Sequence, residues 1–304
     1  MEKKVLVIGS LNMDLVIHMD KMPEKGETVL GKSLAYVPGG KGANQACTLG
    51  KLGAKTAMLG CVGQDAFGKI QLENLKKNQV DISGIKQTAE LPTGTAVISV
   101  DSTGDNNIIV VAGANQACDE AYLKSMEQMF EEFDYIVFQM EIPCEAVYYG
   151  IRKAKEKGKT VILNPAPAPR EIPEEILRCI DYLTPNETEL ASLAGLSCIN
   201  EETIRTGASD LLKKGVKNVL VTLGEKGIYF AAEGEEKSYP ARKVKAVDTT
   251  AAGDCFNGAF VTALAEGKTV SDAIAFANLA SSIAVTRNGA QSSLPQREEV
   301  DALL

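Results

Sequence analysis

Two apolar patterns alternate along the chain. Short, nearly continuous apolar runs at Lys4–Ile8, Thr56–Cys61, Tyr135–Gln139, Thr160–Leu163 and Asn218–Thr222 predict strands buried on both faces. Between them, apolar residues recur at helical spacing in Ala66–Lys77, Cys144–Lys157, a stretch from Glu187, Glu202–Lys214, Cys255–Glu266 and Val270–Arg287. Tyr182–Thr184 and Gly227–Ala231 read as further strands. The alternation predicts an α/β fold, a three-layer α/β/α sandwich around a mostly parallel central sheet. Two segments break the rhythm. Leu15–Asp20 and Thr28–Tyr36 alternate apolar with polar around Met22–Pro23–Glu24–Lys25–Gly26. Thr95–Val100 and Asn107–Val111 flank the turn residues 101–105. Each pair predicts a half-exposed hairpin. Together they are expected to form one small β-sheet lid from two insertions, about 12–38 and 93–112, in a single domain spanning 1–304.

Composition narrows the function. The 304 residues suffice for a full core. A net charge of −8 with no basic tract argues against a nucleic-acid partner. No apolar run nears the roughly 20 residues that cross a bilayer, so no membrane association is expected. The start passes directly into a strand without a cleavable leader, and a cytoplasmic protein is expected. The seven cysteines are scattered without a Cys-x-x-Cys pair, which points to free thiols and away from a zinc site. His18 is the only histidine, so histidine-based triads and zinc catalysis lack parts. The chemistry must then rest on carboxylates, amides, Lys, Arg and backbone dipoles.

Gly63–Gly68–Lys69 has Walker-A glycine spacing, but Ile70 stands where a magnesium-binding hydroxyl is required, and Gly158–Lys159–Thr160 and Gly267–Lys268–Thr269 lack the first glycine. None is a P-loop. A different phosphate cradle is offered by Asp248–Thr249–Thr250–Ala251–Ala252–Gly253–Asp254, small residues leading into a helix whose free N–H groups attract anions. Asp254 there is either a charge complementing the helix dipole or a general base. The turn Gly39–Gly40–Lys41–Gly42–Ala43–Asn44 enters another helix and offers Lys41 and Asn44 as donors beside a ligand. Asn186 with Glu189 is a helix cap or an amide and carboxylate that organise magnesium around phosphates. Thr222–Leu223–Gly224–Glu225–Lys226–Gly227 is a hairpin turn or a nucleotide-contacting loop. Asn12 and Asp14 share one side of an extended segment, and Glu141 follows a strand end, where α/β sheets collect ligand groups.

In this order and spacing, Gly39–Ala46, Asn186-x-x-Glu189 and Asp248–Asp254 resemble the ribokinase-like (pfkB) family of sugar and nucleoside kinases over essentially the whole chain. The resemblance implies transfer of the ATP γ-phosphoryl group to a sugar hydroxyl, with the 5-hydroxyl of D-ribose as the first candidate. It implies Asp254 as catalytic base, with Gly253 in the anion hole. It matches Asn12, Asp14, Gly39, Gly40, Lys41, Asn44 and Glu141 to sugar-site positions. Asn186, Thr222, Leu223, Gly224, Glu225, Lys226, Gly227 and Asn278 match nucleotide contacts, and Glu189 a magnesium-organising acid (Mg2+). Asp248, Thr250, Ala284, Arg287, Gly289 and Ser293 match a loop pair that binds an activating monovalent cation, potassium (K+). The family also implies a homodimer through the β lid. The chain departs at Glu225–Lys226, where relatives carry Ser and a basic residue, and at Asn278, where some have His. Other small sugars or nucleosides are the alternative substrates within the family. A sugar-binding protein without catalysis is the reading outside it, opposed by the intact Asp254, Gly253 and Asn186-x-x-Glu189.

Overall fold

The computed structural model describes residues 3–304. Its central sheet runs Glu235–Tyr239, Ile228–Ala232, Asn218–Thr222, Tyr182–Leu183, Thr160–Asn164, Tyr135–Gln139, Lys4–Ile8, Lys55–Gly63 and Val80–Asp81, with Ile85–Thr88 also pairing with Lys55–Gly63. All pairings are parallel except the two that join Asn218–Thr222, Ile228–Ala232 and Glu235–Tyr239.

Strand side chains alternate between two cores. Leu6, Ile8, Ile136, Phe138, Val161 and Leu163 point to one face, where Cys144–Glu156, Glu187–Ala194 and Glu201–Lys213 pack. Val5, Val7, Val137, Ile162 and Leu220 point to the other, against Lys41–Lys51, Ala252–Ala265 and Val270–Ala284. The result is the expected three-layer arrangement. Burial of both faces explains why the parallel strands read as continuous apolar runs.

The two hairpins form a separate four-stranded sheet in the order Gly31–Gly39, Asn12–Met19, Gly94–Val100, Asn106–Val111. Asn12–Met19 and Gly94–Val100 pair in parallel, joining segments distant in sequence. Both edge strands are largely exposed, and Leu34, Tyr36, Ile108, Ile109, Val110 and Val111 are apolar residues left uncovered.

Several boundaries differ from the expectation. The helix expected from Cys255 begins at Ala252, which brings Asp254 inside its first turn. The last long helix stops at Ala284, not Arg287. The first hairpin's second strand is Gly31–Gly39, displaced from the expected 28–36. No helix among the described residues is long and apolar enough to cross a membrane.

Candidate active site

The parallel strands end on one rim, and polar residues gather there. Gln139 and Asn164 close their strands, and Thr184 follows a third. The helix Ala252–Ala265 points its N-terminus at this rim. Its cap position, Ala251, is held in the left-handed region at φ 58° and supplies no side-chain hydrogen bond. Thr269 and Asp65, by contrast, cap their own helices. The Ala252 N–H turns back to the Thr249 carbonyl at 3.2 Å, and the Gly253 and Asp254 N–H groups that follow it are left for a ligand. A Cβ placed on Gly253 would meet nothing within 4 Å, so the approach is open.

A cleft of about 200 Å³ lies in front of this helix. Lys41, Asn186, Glu189, Thr222, Gly253 and Asp254 are among its lining residues. Segments more than 200 residues apart in sequence therefore meet in one hollow.

The Asp254 carboxylate is 6% exposed. Oδ2 accepts from Asn44 Nδ2 at 2.9 Å, and Oδ1 from Gln45 Nε2 at 3.0 Å. Asn44 Oδ1 is buried and has no partner within the protein, an acceptor left over beside the Asp254 carboxylate that its Nδ2 holds. Glu141 accepts from the Ser10 hydroxyl at 2.5 Å and from the Lys41 backbone N–H at 3.1 Å. Burial pushes the Lys41 ammonium down, but the carboxylates of Asp254, Glu141, Glu189 and Asp14 outweigh it and hold its pKa up. Asp14 is pushed up to about 7, first by burial and then by the charges of Glu141 and Asp254. Burial also raises Glu189.

The glycine turn has a sharper cause than access for a ligand. A Cβ on Gly39 would strike the Asp14 carboxylate, and one on Gly40, where φ is 89°, would lie 2.7 Å from Asn12 N. At Gly42 it would lie 2.6 Å from Ser10 N. These glycines let the chain approach itself, so that Asp14 and Asn12 reach the helix Lys41–Lys51. Asn12 Oδ1 is held by Asn115 Nδ2 at 2.8 Å.

Asn186 and Glu189 cap their helix and also reach the cleft. They form a capping box, with Glu189 N on Asn186 Oδ1 at 2.8 Å and Asn186 N on Glu189 Oε2 at 2.9 Å. The same two side chains line the cleft.

The family model for pfkB family carbohydrate kinases matches residues 2–297. The chain belongs to this family. Among curated pfkB relatives, the ribokinase of Haemophilus influenzae is 40% identical over 299 residues, covering 98% of this chain and 97% of its own. That of Bacillus subtilis is 43% identical over 302 residues, covering 99% of each. A solved structure of Arabidopsis thaliana ribokinase complexed with ribose and ATP superimposes with a TM-score of 0.94 at 36% identity, covering 100% of this chain and 99% of that one.

Not every expected position of this pfkB kinase reaches the cleft. Gly224–Lys226 is an exposed turn between antiparallel strands, and the Leu223 side chain packs on the core. Gly227, at φ 98°, is needed because a Cβ would collide with the Tyr239 carbonyl. Asn278 Nδ2 donates to the Pro240 carbonyl at 2.7 Å, away from the cleft lining. The segments 247–250 and 284–293 do meet. Asp248 accepts from Thr250 N and Gly289 N, each at 2.8 Å, and Val285 O accepts from Val247 N at 2.7 Å. The Arg287 guanidinium turns away to Glu299.

Three residues that line the cleft, Asn164, Thr184 and Asn257, escaped the sequence reading, as did the buried Gln45 and Gln139 behind Asp254. Asn164 Nδ2 donates to the Thr184 carbonyl at 3.0 Å, Thr184 Oγ1 to Asn257 Oδ1 at 2.6 Å, and Asn257 Nδ2 to the Gly253 carbonyl at 2.9 Å. The available signal was one polar residue closing an otherwise apolar strand, as at Gln139 and Asn164.

Proposed function

We propose that this pfkB kinase transfers the γ-phosphoryl group of ATP to the 5-hydroxyl of D-ribose. One observation carries the reading: a buried carboxylate, Asp254, stands at a helix N-terminus that no side chain caps, within the same hollow as Lys41. The named activities of the relatives support the choice of sugar.

Asp254 accepts the proton of the sugar hydroxyl as oxygen attacks phosphorus. The N–H groups at Gly253 and its neighbours, with Lys41, stabilise negative charge on the transferring group. Asn12, Asp14, Gly39, Gly40, Lys41, Asn44 and Glu141 form the sugar site, where the orphan Asn44 Oδ1 awaits a hydroxyl donor. Asn186 and Thr222 contact the nucleotide from the cleft wall, and residues 223–227 and Asn278 do so only from outside its present lining.

Glu189 and Asn186 fit a hydrated magnesium ion, being a carboxylate and an amide that line the same cleft as Asp254. When bound, that ion neutralises phosphate charge. The loops around Asp248, Thr250, Ala284, Arg287, Gly289 and Ser293 would hold potassium through the Asp248 carboxylate and backbone carbonyls, oxygen donors of the kind that ion takes, while the Arg287 guanidinium is engaged by Glu299. The small sheet acts as a lid over the sugar and as the surface of a homodimer. Its Asn12 and Asp14 share a face with Ala96 and Val110 through direct pairing, placing apolar cover beside polar sugar contacts. Excluding water protects ATP from hydrolysis.

Coupled ADP release, measured over a panel of pentoses, hexoses and nucleosides, tests the reading. D-ribose should give the highest kcat/KM, with deoxyribose next. Saturable ribose binding without ADP from any sugar would replace it with a binding protein.

A further inference from the structure

Behind Asp254 lies a chain of amides that the transfer step leaves unexplained. Gln45 and Gln139 are fully buried and Asn164 is 7% exposed. Primary amides in such a place cost stability unless each is bonded. Gln45 Nε2 donates to Asp254 Oδ1 at 3.0 Å and contacts Asn164 Oδ1 at 3.3 Å. Gln45 Oε1 in turn accepts from Gln139 Nε2 at 2.8 Å.

The direction of this chain follows from Asp254. An ionised carboxylate only accepts, so Gln45 must present its N–H groups to it and turn its carbonyl away. That carbonyl needs a donor, and Gln139 supplies one. The chain then ends on Gln139 Oε1, which is buried and has no partner. A Cβ on Gly9 would overlap that oxygen, so glycine makes room for it. Reversing both amides would set a carbonyl against the carboxylate. The molecule instead tolerates an orphan acceptor one residue further back.

We propose that Gln45 and Gln139 are positioning residues, an amide relay that fixes the Asp254 carboxylate in the orientation in which it accepts the proton. The proposal rests on Asp254 being the base. Gln45 is not among the residues that line the cleft and acts through Asp254. Four other charged groups surround the carboxylate. Lys41 comes from the helix that carries Gln45, Asp14 from the small sheet, Glu189 from Glu187–Ala194, and Glu141 lies beside Lys41. They are common to parent and variants, so a change confined to the amides is read against a constant background.

The test is kcat as a function of pH, at saturating ATP and ribose, for Gln45→Met and Gln139→Met beside the parent. Methionine keeps the length and volume of glutamine and removes only the amide. Loss of one donor to a charged group predicts a kcat 10- to 100-fold lower in Gln45→Met and an acid limb moved up by about one pH unit. KM for both substrates should stay within about threefold. Gln139→Met should shift the limb in the same direction by a smaller amount, because Gln45 remains but loses its orienting partner. If Gln45→Met does not fold, Gln139→Met decides alone. A kcat that falls equally at every pH, or an unmoved limb, overturns the relay and leaves the amides as packing. Asp254→Asn is measured alongside. If it keeps more than about a tenth of parental turnover, the base assignment fails; if it is inactive while the limbs stay put, only the relay fails.

Discussion

At the scale of single residues, more negative than positive groups gather around Lys41. Asp14, Glu141, Glu189 and Asp254 surround Lys41, whose charge they reinforce. Asp14 bears the cost. Its carboxyl is pushed up to about 7 from 3.8, so the folded chain holds a proton that the unfolded chain releases between those values. Stability therefore falls as pH rises through that window. Asp14→Asn should raise Tm by about 5 °C near pH 8, with the gain narrowing as pH falls toward about 4, while ribose binding weakens strongly. Thermal melts across that range check it; a gain that does not vary with pH would mean the charge is not its source. Asp254, Lys41, Asn186 and Glu189 were legible in the sequence because each sits in a compact motif. Gln139, Asn164 and Asn257 were not, since each lies alone in an apolar run and gains meaning only when strand ends converge.

At the scale of elements, most helices and parallel strands could be read from periodicity. What escaped has little period to offer. Val80–Asp81 is too short, and Glu235–Tyr239 is a polar edge strand without an apolar face. The glycine turn was located correctly in the chain, yet its cause is close self-contact at Asp14, Asn12 and Ser10, which needs three-dimensional neighbours to be seen. The loops 247–250 and 284–293 are joined through Asp248, and burial of that carboxyl is outweighed by hydrogen bonds from Thr250 and Gly289, which lower its pKa. A cation held by their oxygens would order the entrance to the helix bearing Asp254. Potassium chloride should raise turnover several-fold over sodium chloride at equal ionic strength, and Asp248→Ala should abolish the difference. Steady-state rates in both salts check this; equal rates in the parent would remove the cation site.

At the scale of the whole molecule, two sheets divide the work. The large one is enclosed by helices and supplies a rigid rim. The small one projects from it, with the edge strand Asn106–Val111 exposed along its length and carrying four apolar residues in a row. Exposed apolar edges pair with other strands unless they are covered. In the proposed homodimer a second copy of this chain covers that edge. Light scattering should give twice the 32.4 kDa chain mass, and Ile109→Glu should return the protein to monomers. A parental monomer at micromolar concentration would contradict the dimer.

Whether Asp254 is the base of a ribose kinase is tested most directly by single-turnover phosphoryl transfer. With ATP, magnesium and D-ribose, the parent should form ADP and ribose 5-phosphate one to one. Asp254→Asn should keep its fold and its ATP affinity but transfer at least about 100-fold more slowly, as loss of a general base requires. A variant that transfers at more than about a tenth of the parental rate, or a parent that makes no ribose 5-phosphate, would contradict that role.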